Sequence, residues 1–199
     1  MIDLGNGLET ALGGITGASR RMAGQSERRG VDCARSQSAM APSTYYEMLR
    51  AASDRRGSGA PHFPKPLLDA LLSLGGDDVQ IWFAEHLGHP IAGGVVLYGS
   101  QELFFWSAAM RSEYSRLRPS NALNVALIHA ACERGVRWYN LGASEGLPGV
   151  ERFKRGLGAS TLQYKTLRFE RASYAMYSWV RSPFAETRVA QQPIKGGAE

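Results

Sequence analysis

The chain has 199 residues, of which 44% are hydrophobic, 10% aromatic and 21% charged, a balance that supplies a sizeable core and excludes a fibrous or low-complexity chain. A net charge of +5 and a pI near 9.4 favour anionic partners, among them phosphate-bearing cofactors, nucleotides, nucleic acid and anionic lipid. Cys33 and Cys132 make neither a disulfide framework nor a zinc CxxC pair, and no run approaches the roughly 18 apolar residues of a membrane span, so a reducing cytoplasm is the expected setting.

The chain opens Met1-Ile2-Asp3-Leu4 without a basic region followed by an apolar run, so no secretory signal is expected. Residues 1–42 are rich in Gly, Ser, Ala and Arg and poor in large apolar side chains. Too little apolar surface is on offer to offset ordering entropy, which predicts a largely flexible basic segment. A short helix from about Ala18 to Gly30 is the one element it admits, carrying Arg20, Arg21, Arg28 and Arg29.

Order is expected from Pro42. Ser43 or Thr44 is placed to cap a helix, with Glu47 in capping-box position and Tyr45, Met48, Leu49 and Ala52 on one face. Gly57-Ser58-Gly59 ends it. A second helix, Lys65 to Leu74, is so dense in leucine that packing on a sheet is expected, and Gly75-Gly76 stops it. Three β-prone runs follow, Val79 to Glu85, Pro90 to Tyr98 and Glu102 to Met110, joined by short glycine turns. They predict an antiparallel meander. From Asn121 to Arg134 the period becomes helical, and Val136 to Leu141 is again a strand, so the third and fourth strands should lie parallel. Gly149 to Leu157 reads as a short helix, Ser160 to Phe169 as a last strand, Tyr174 to Val180 as a terminal helix, and 183–199 as a flexible tail.

The segment Arg116-Leu117-Arg118-Pro119-Ser120-Asn121-Ala122 lies between a strand and the helix it feeds. A helix N-terminus leaves backbone N–H groups unbonded and partly positive, which suits phosphate. Pro119 is preset for the first helical position, Ser120 or Asn121 can cap, and Arg116 and Arg118 add full charges. Tyr139 and Tyr164, on neighbouring predicted strands, are candidates to orient an acceptor. Glu85, at a strand end, is a weaker candidate base. His62, His86, His89 and His129 have no metal-ligand spacing, and Cys132 has no evident activating base, so no metal is expected.

The order of elements resembles the core of a GNAT acyltransferase: a single α/β (α+β) domain, here 43–182, with a mixed central sheet, an antiparallel meander, one parallel crossover and helices on both faces. The resemblance implies an acyl-coenzyme A donor whose pyrophosphate lies at the start of the crossover helix. The usual glycine-rich signature of that loop is replaced here by Arg-Leu-Arg-Pro-Ser-Asn. A narrower resemblance accounts for the change. The runs from Ser112 to Leu123, Glu133-Arg134-Gly135, Leu141-Gly142-Ala143-Ser144 and Arg152-Phe153-Lys154-Arg155-Gly156-Leu157-Gly158-Ala159 are similar to the Fem-type branch, which includes the peptidoglycan bridge-forming aminoacyl transferases.

This resemblance covers roughly residues 44–170. It implies acyl or aminoacyl transfer to an amine, from acyl-coenzyme A or aminoacyl-tRNA, in cell-envelope or polysaccharide synthesis. It also implies that Lys154 stabilises negative charge during transfer. Fem-type proteins usually carry two such modules. Residues 1–42 would then be the remnant of a first one, and the exposed face would favour a homodimer. The alternative is a single non-catalytic module that binds an anionic ligand or a protein partner.

Overall fold

Alternation along the strands decides the architecture. In a computed structural model that describes residues 1–144 and 146–163, Val79–His86 (β3), His89–Tyr98 (β4) and Glu102–Met110 (β5) form the expected meander. Ile81, Phe83 and Val95 point to one face, and Ala84, Ile91 and Val96 to the other, so both faces need a cover. The β3–β4 turn places Leu87 at φ 52 and Gly88 at φ 75, with His86 opposite His89. Two successive positive φ values make the tight turn whose twist suits a hairpin.

Helix Pro119–Glu133 (α5) returns the chain, and strand Trp138–Asn140 (β6) pairs with β5 in parallel, as the crossover predicts. Helices Ala41–Arg55 (α3) and Lys65–Gly75 (α4) cover one face, where Tyr45, Leu49, Phe63 and Leu68 meet Ile81, Phe83 and Val95. On the other, Leu123, Leu127 and Ile128 of α5 meet Ile91, Val96, Leu103 and Tyr139. Helix Pro148–Gly156 (α6) follows, close to the Gly149–Leu157 expected. The mixed sheet with helices on both faces is therefore observed.

The N-terminal expectation needs correction. Residues 1–42 are not a flexible arm: Ile2–Asp3 (β1) pairs with β6, and Val31–Arg35 (β2) pairs with β3 at the far edge, giving the order β1-β6-β5-β4-β3-β2. Helices Leu8–Gly14 (α1) and Gly17–Arg28 (α2) lie against α5. The reason is that α2 buries Ser19, Ala23 and Ser26. Small side chains let two helices approach closely, and Ile2, Leu4, Ile15 and Val31 enter the core beside them. Met1–Leu162 form one compact unit, so order does not begin at Pro42.

Two smaller expectations also change. Helix α3 starts at Ala41 with no side-chain cap, so neither Ser43 nor Thr44 is its N-cap. Helix α4 lies against β3 but fully buries only Leu68; Leu74 is 88% exposed. Among the described residues no helix is long and apolar enough to cross a membrane. The final strand beyond Gln163, with Tyr164, the terminal helix and the tail 183–199, lies outside the described residues.

Candidate active site

The two central parallel strands do not stay together. β6 pairs with β5 at only three positions, Trp138 with Glu102, Tyr139 with Leu103 and Asn140 with Phe104. β5 runs on to Met110, so residues 105–110 have no strand partner on that side among the described residues. A bulge opposite Val95 and Val96 bends β5 where the separation begins, leaving Trp106 unpaired between Phe105 and Ser107. The result is a notch whose walls are β5 and the segment 141–144.

Asn140 sets the departure of β6. Its Nδ2 donates to Glu102 Oε1 at 2.7 Å, and its Oδ1 accepts the Gly142 N–H at 2.9 Å. That turn puts Gly142 at φ 72, where glycine carries no penalty. A Cβ at Gly142 would lie 3.7 Å from the Phe105 carbonyl oxygen, so the second wall starts directly beside β5. Lys154, on α6, holds this wall: its Nζ donates to the Gly142 carbonyl at 2.8 Å and to the Ala143 carbonyl at 2.7 Å. The lysine singled out by sequence is thus at the notch, with two of its protons committed to backbone.

The anion-binding segment lies where β5 feeds α5. A 3-10 turn, Ser112–Leu117, leads into Arg118, which is left-handed at φ 57 and ψ 37 and is the N-cap without a side-chain cap bond. The capping role expected of Ser120 or Asn121 is therefore absent, since both lie inside the helix as its second and third residues. The Asn121 and Ala122 N–H groups donate to the Arg118 carbonyl at 3.0 and 3.5 Å, and Pro119 has none to give. Of the three N–H groups expected to be open, only that of Ser120 has no acceptor among the described residues. Pro119, Asn121 and Ala122 are buried, and Asn121 Nδ2 has no hydrogen-bond partner among the described residues. Arg116 and Arg118 are exposed and make no ion pair or side-chain hydrogen bond among the described residues. The Arg116 carbonyl accepts from Arg29 Nη1 at 2.9 Å, which ties the turn to the end of α2.

Tyr139 is placed differently from the expectation. It is fully buried, and its hydroxyl donates to Asn124 Oδ1 of α5 at 2.7 Å. Burial pushes its pKa well above the ordinary value. Asn124 Nδ2 in turn donates to the Ser120 carbonyl at 2.8 Å. Tyr139 therefore anchors β6 to α5 from within the core. Glu85 stands on β3, separated from β5 by β4.

Three residues at the notch escaped the sequence reading. Tyr45 donates to Ser107 Oγ at 2.8 Å, and His62 Nε2 lies 3.5 Å from the same oxygen. Positions 45, 62 and 107 share no motif, so only folding brings them together. The cysteines stay apart from the site. Burial, then Asp32 and Glu27, push the Cys33 thiol up to about 12, and burial, then Glu133, raise that of Cys132. Among the described residues no group of three or more His, Cys, Asp or Glu could hold a metal ion.

Comparison with known proteins accords with this geometry. The crystal structure of FemX superposes with a TM-score of 0.66 at 10% identity, covering 78% of this chain and 57% of that one. The aminoglycoside acetyltransferase AAC(6')-Iy, in complex with a bisubstrate analogue of coenzyme A and acetylneamine, gives 0.57 at 13% identity, covering 71% of this chain and 99% of that one. A ribosomal-protein-alanine N-acetyltransferase from Brucella melitensis biovar Abortus 2308 gives 0.56 at 15%, covering 71% and 100%. The chain thus spans little more than half of FemX and nearly the whole of the other two. No curated protein matches the sequence. The model of the acetyltransferase (GNAT) domain matches residues 15–155, well over half of the chain, which therefore belongs to the GNAT acetyltransferase family.

Proposed function

We propose that this chain transfers an acyl group from acyl-coenzyme A to an amine. The observation that carries the reading is the Ser120 N–H at the start of α5, without an acceptor among the described residues and next to the exposed Arg116 and Arg118. A diphosphate there meets one amide, the Ser120 hydroxyl and two guanidiniums, with the helix dipole in the favourable sense. The rest of such a donor would run back along residues 105–110 of β5, whose outward backbone groups have no strand partner among the described residues. The acyl carbon would then sit between the backbone edge of β5 and the wall held by Lys154. The AAC(6')-Iy complex, with its coenzyme A bisubstrate analogue, supports a donor of this class.

In the displacement, the amine lone pair forms the C–N bond and the C–S bond breaks with its pair on sulfur. Charge develops on the carbonyl oxygen, and the Lys154 ammonium is the cation at that wall. Lys154 acts there as an electrostatic partner and also fixes the carbonyls of Gly142 and Ala143.

Aminoacyl-tRNA as donor, in cell-envelope synthesis, is the second reading. The Arg152–Ala159 run favours it through its Fem-type likeness, and the fold of FemX supports the same branch. Calorimetry with coenzyme A decides between them. We expect binding that Arg116→Ala or Arg118→Ala each weakens about tenfold, as for loss of one charged hydrogen bond. Binding of aminoacyl-tRNA without coenzyme A would move the donor to the second reading. Binding of neither would remove the transferase reading.

A further inference from the structure

We propose that His62 receives the proton shed by the acceptor amine, held for that task by Ser107 and Tyr45. The proposal rests on the acyl-coenzyme A reading above and adds the group that handles the proton.

The side chains that hydrogen-bond to residues 105–110 of β5 are few among the described residues. Tyr45 and His62 contact Ser107, Arg55 donates to the Met110 carbonyl, and Ser120 contacts Met110 Sδ. Of these, only an imidazole ordinarily exchanges a proton near neutral pH. The other histidines are elsewhere: His86 and His89 close the β3–β4 turn, and His129 is on α5 beside Cys33.

The ring is fixed from below. Phe63 is buried and stacks on Trp106 at 4.3 Å between centroids, and its carbonyl accepts from the Tyr46 hydroxyl at 3.1 Å. His62 stands edge-on to Phe63 at 4.7 Å and 88°. These contacts hold the α3–α4 connection over the bulge of β5, and His62 is an exposed residue of that connection. Ser107 Oγ already accepts the Tyr45 proton. A serine oxygen has a second lone pair, which can accept Nε2–H once the ring is cationic. Tyr45 is buried, and burial raises its pKa, so it stays a donor throughout.

The balance of the step is simple. The acceptor arrives as an ammonium and gives one proton to the His62 imidazole, leaving an imidazolium. The freed nitrogen pair then makes the C–N bond, the C–S bond breaks with its pair on sulfur, and the second N–H proton ends on the leaving thiolate.

The test compares two acceptors with acetyl-coenzyme A as donor, reading thiol release. Ethylamine is a strong base and must lose a proton; hydroxylamine is a weak base that is already neutral near neutral pH. His62→Gln should lower transfer to ethylamine on the order of 10²-fold, transfer to hydroxylamine less than threefold, and leave coenzyme A affinity unchanged. Ser107→Ala and Tyr45→Phe should lower kcat for ethylamine about tenfold with KM unchanged, since they orient the ring rather than meet the substrate. Equal losses for the two acceptors, or no loss for either, would overturn the assignment. So would a wild-type protein that acetylates hydroxylamine and never ethylamine. Transfer to neither by a wild-type protein that binds coenzyme A would remove the transferase reading, and the proposal with it.

Discussion

The two walls of the notch are built on different principles. The β5 wall is part of the core: Ser107 is buried, Tyr45 behind it is fully buried, β4 pairs along its other edge, and Phe63 stacks on Trp106. The opposite wall, residues 141–144, is a segment outside the strand, shaped by Asn140 and hung from one ammonium. A wall of the first kind is redundant, because many contacts share its position. A wall of the second kind depends on two side chains, Asn140 and Lys154, and the second is also the cation proposed for the reaction. Position and charge cannot be separated there.

The largest way to break this contrast is Lys154→Met, which keeps the length and removes the charge. Transfer should fall on the order of 10²–10³-fold, with coenzyme A affinity nearly unchanged. Hydrogen exchange should show faster opening at Gly142 and Ala143 but not along β5. A variant with loosened amides and normal kcat would reduce Lys154 to a clasp. Next comes Gly158→Ala. Gly158 has φ 86, and its added Cβ would lie 2.9 Å from the Gly14 carbonyl oxygen, so about 2 kcal/mol of stability should be lost in urea unfolding. Asn124→Ala leaves the Tyr139 hydroxyl buried without an acceptor at the root of β6, and about 1–3 kcal/mol should be lost.

Arg118→Gly sharpens the comparison from the donor end. The left-handed conformation at Arg118 costs an ordinary residue about 1 kcal/mol, which glycine relieves. Stability should therefore rise while coenzyme A binding weakens. The smallest effect is in alkali. Cys33, Tyr45 and Tyr139 hold their protons more tightly folded than unfolded. Above the ordinary thiol value of 9.0 the unfolded chain releases the Cys33 proton first, so stability is complete below that pH and is lost as pH rises towards about 12. Cys33→Ala should flatten that part of the pH curve.

Much of the scaffold was legible because it obeys short-range rules. The β-prone runs with glycine turns gave the meander, and Pro119 marked the helix start to within one or two residues. What hid the N-terminal layer was the size of its buried residues: Ser19, Ala23 and Ser26 look like a solvated face until α5 is placed against them. Tyr139 was correctly put on a strand, yet its surroundings depend on Asn124, fifteen residues earlier on another element. Lys154 was found through family likeness, but its carbonyl acceptors carry no side-chain signature. His62, dismissed for lack of metal spacing, gains its meaning only from Ser107, a strand away in space and 45 residues away in sequence.

Gly14 and Gly158 face each other with no side chains between them, and Thr16 donates both its N–H and its hydroxyl to the Gly156 carbonyl, at 2.9 and 3.1 Å. The first two helices thus act as a splint on the helix that bears Lys154. Trimming them away, a choice that a glance at their composition invites, would register as an enzymatic lesion although every cleft residue remained in place.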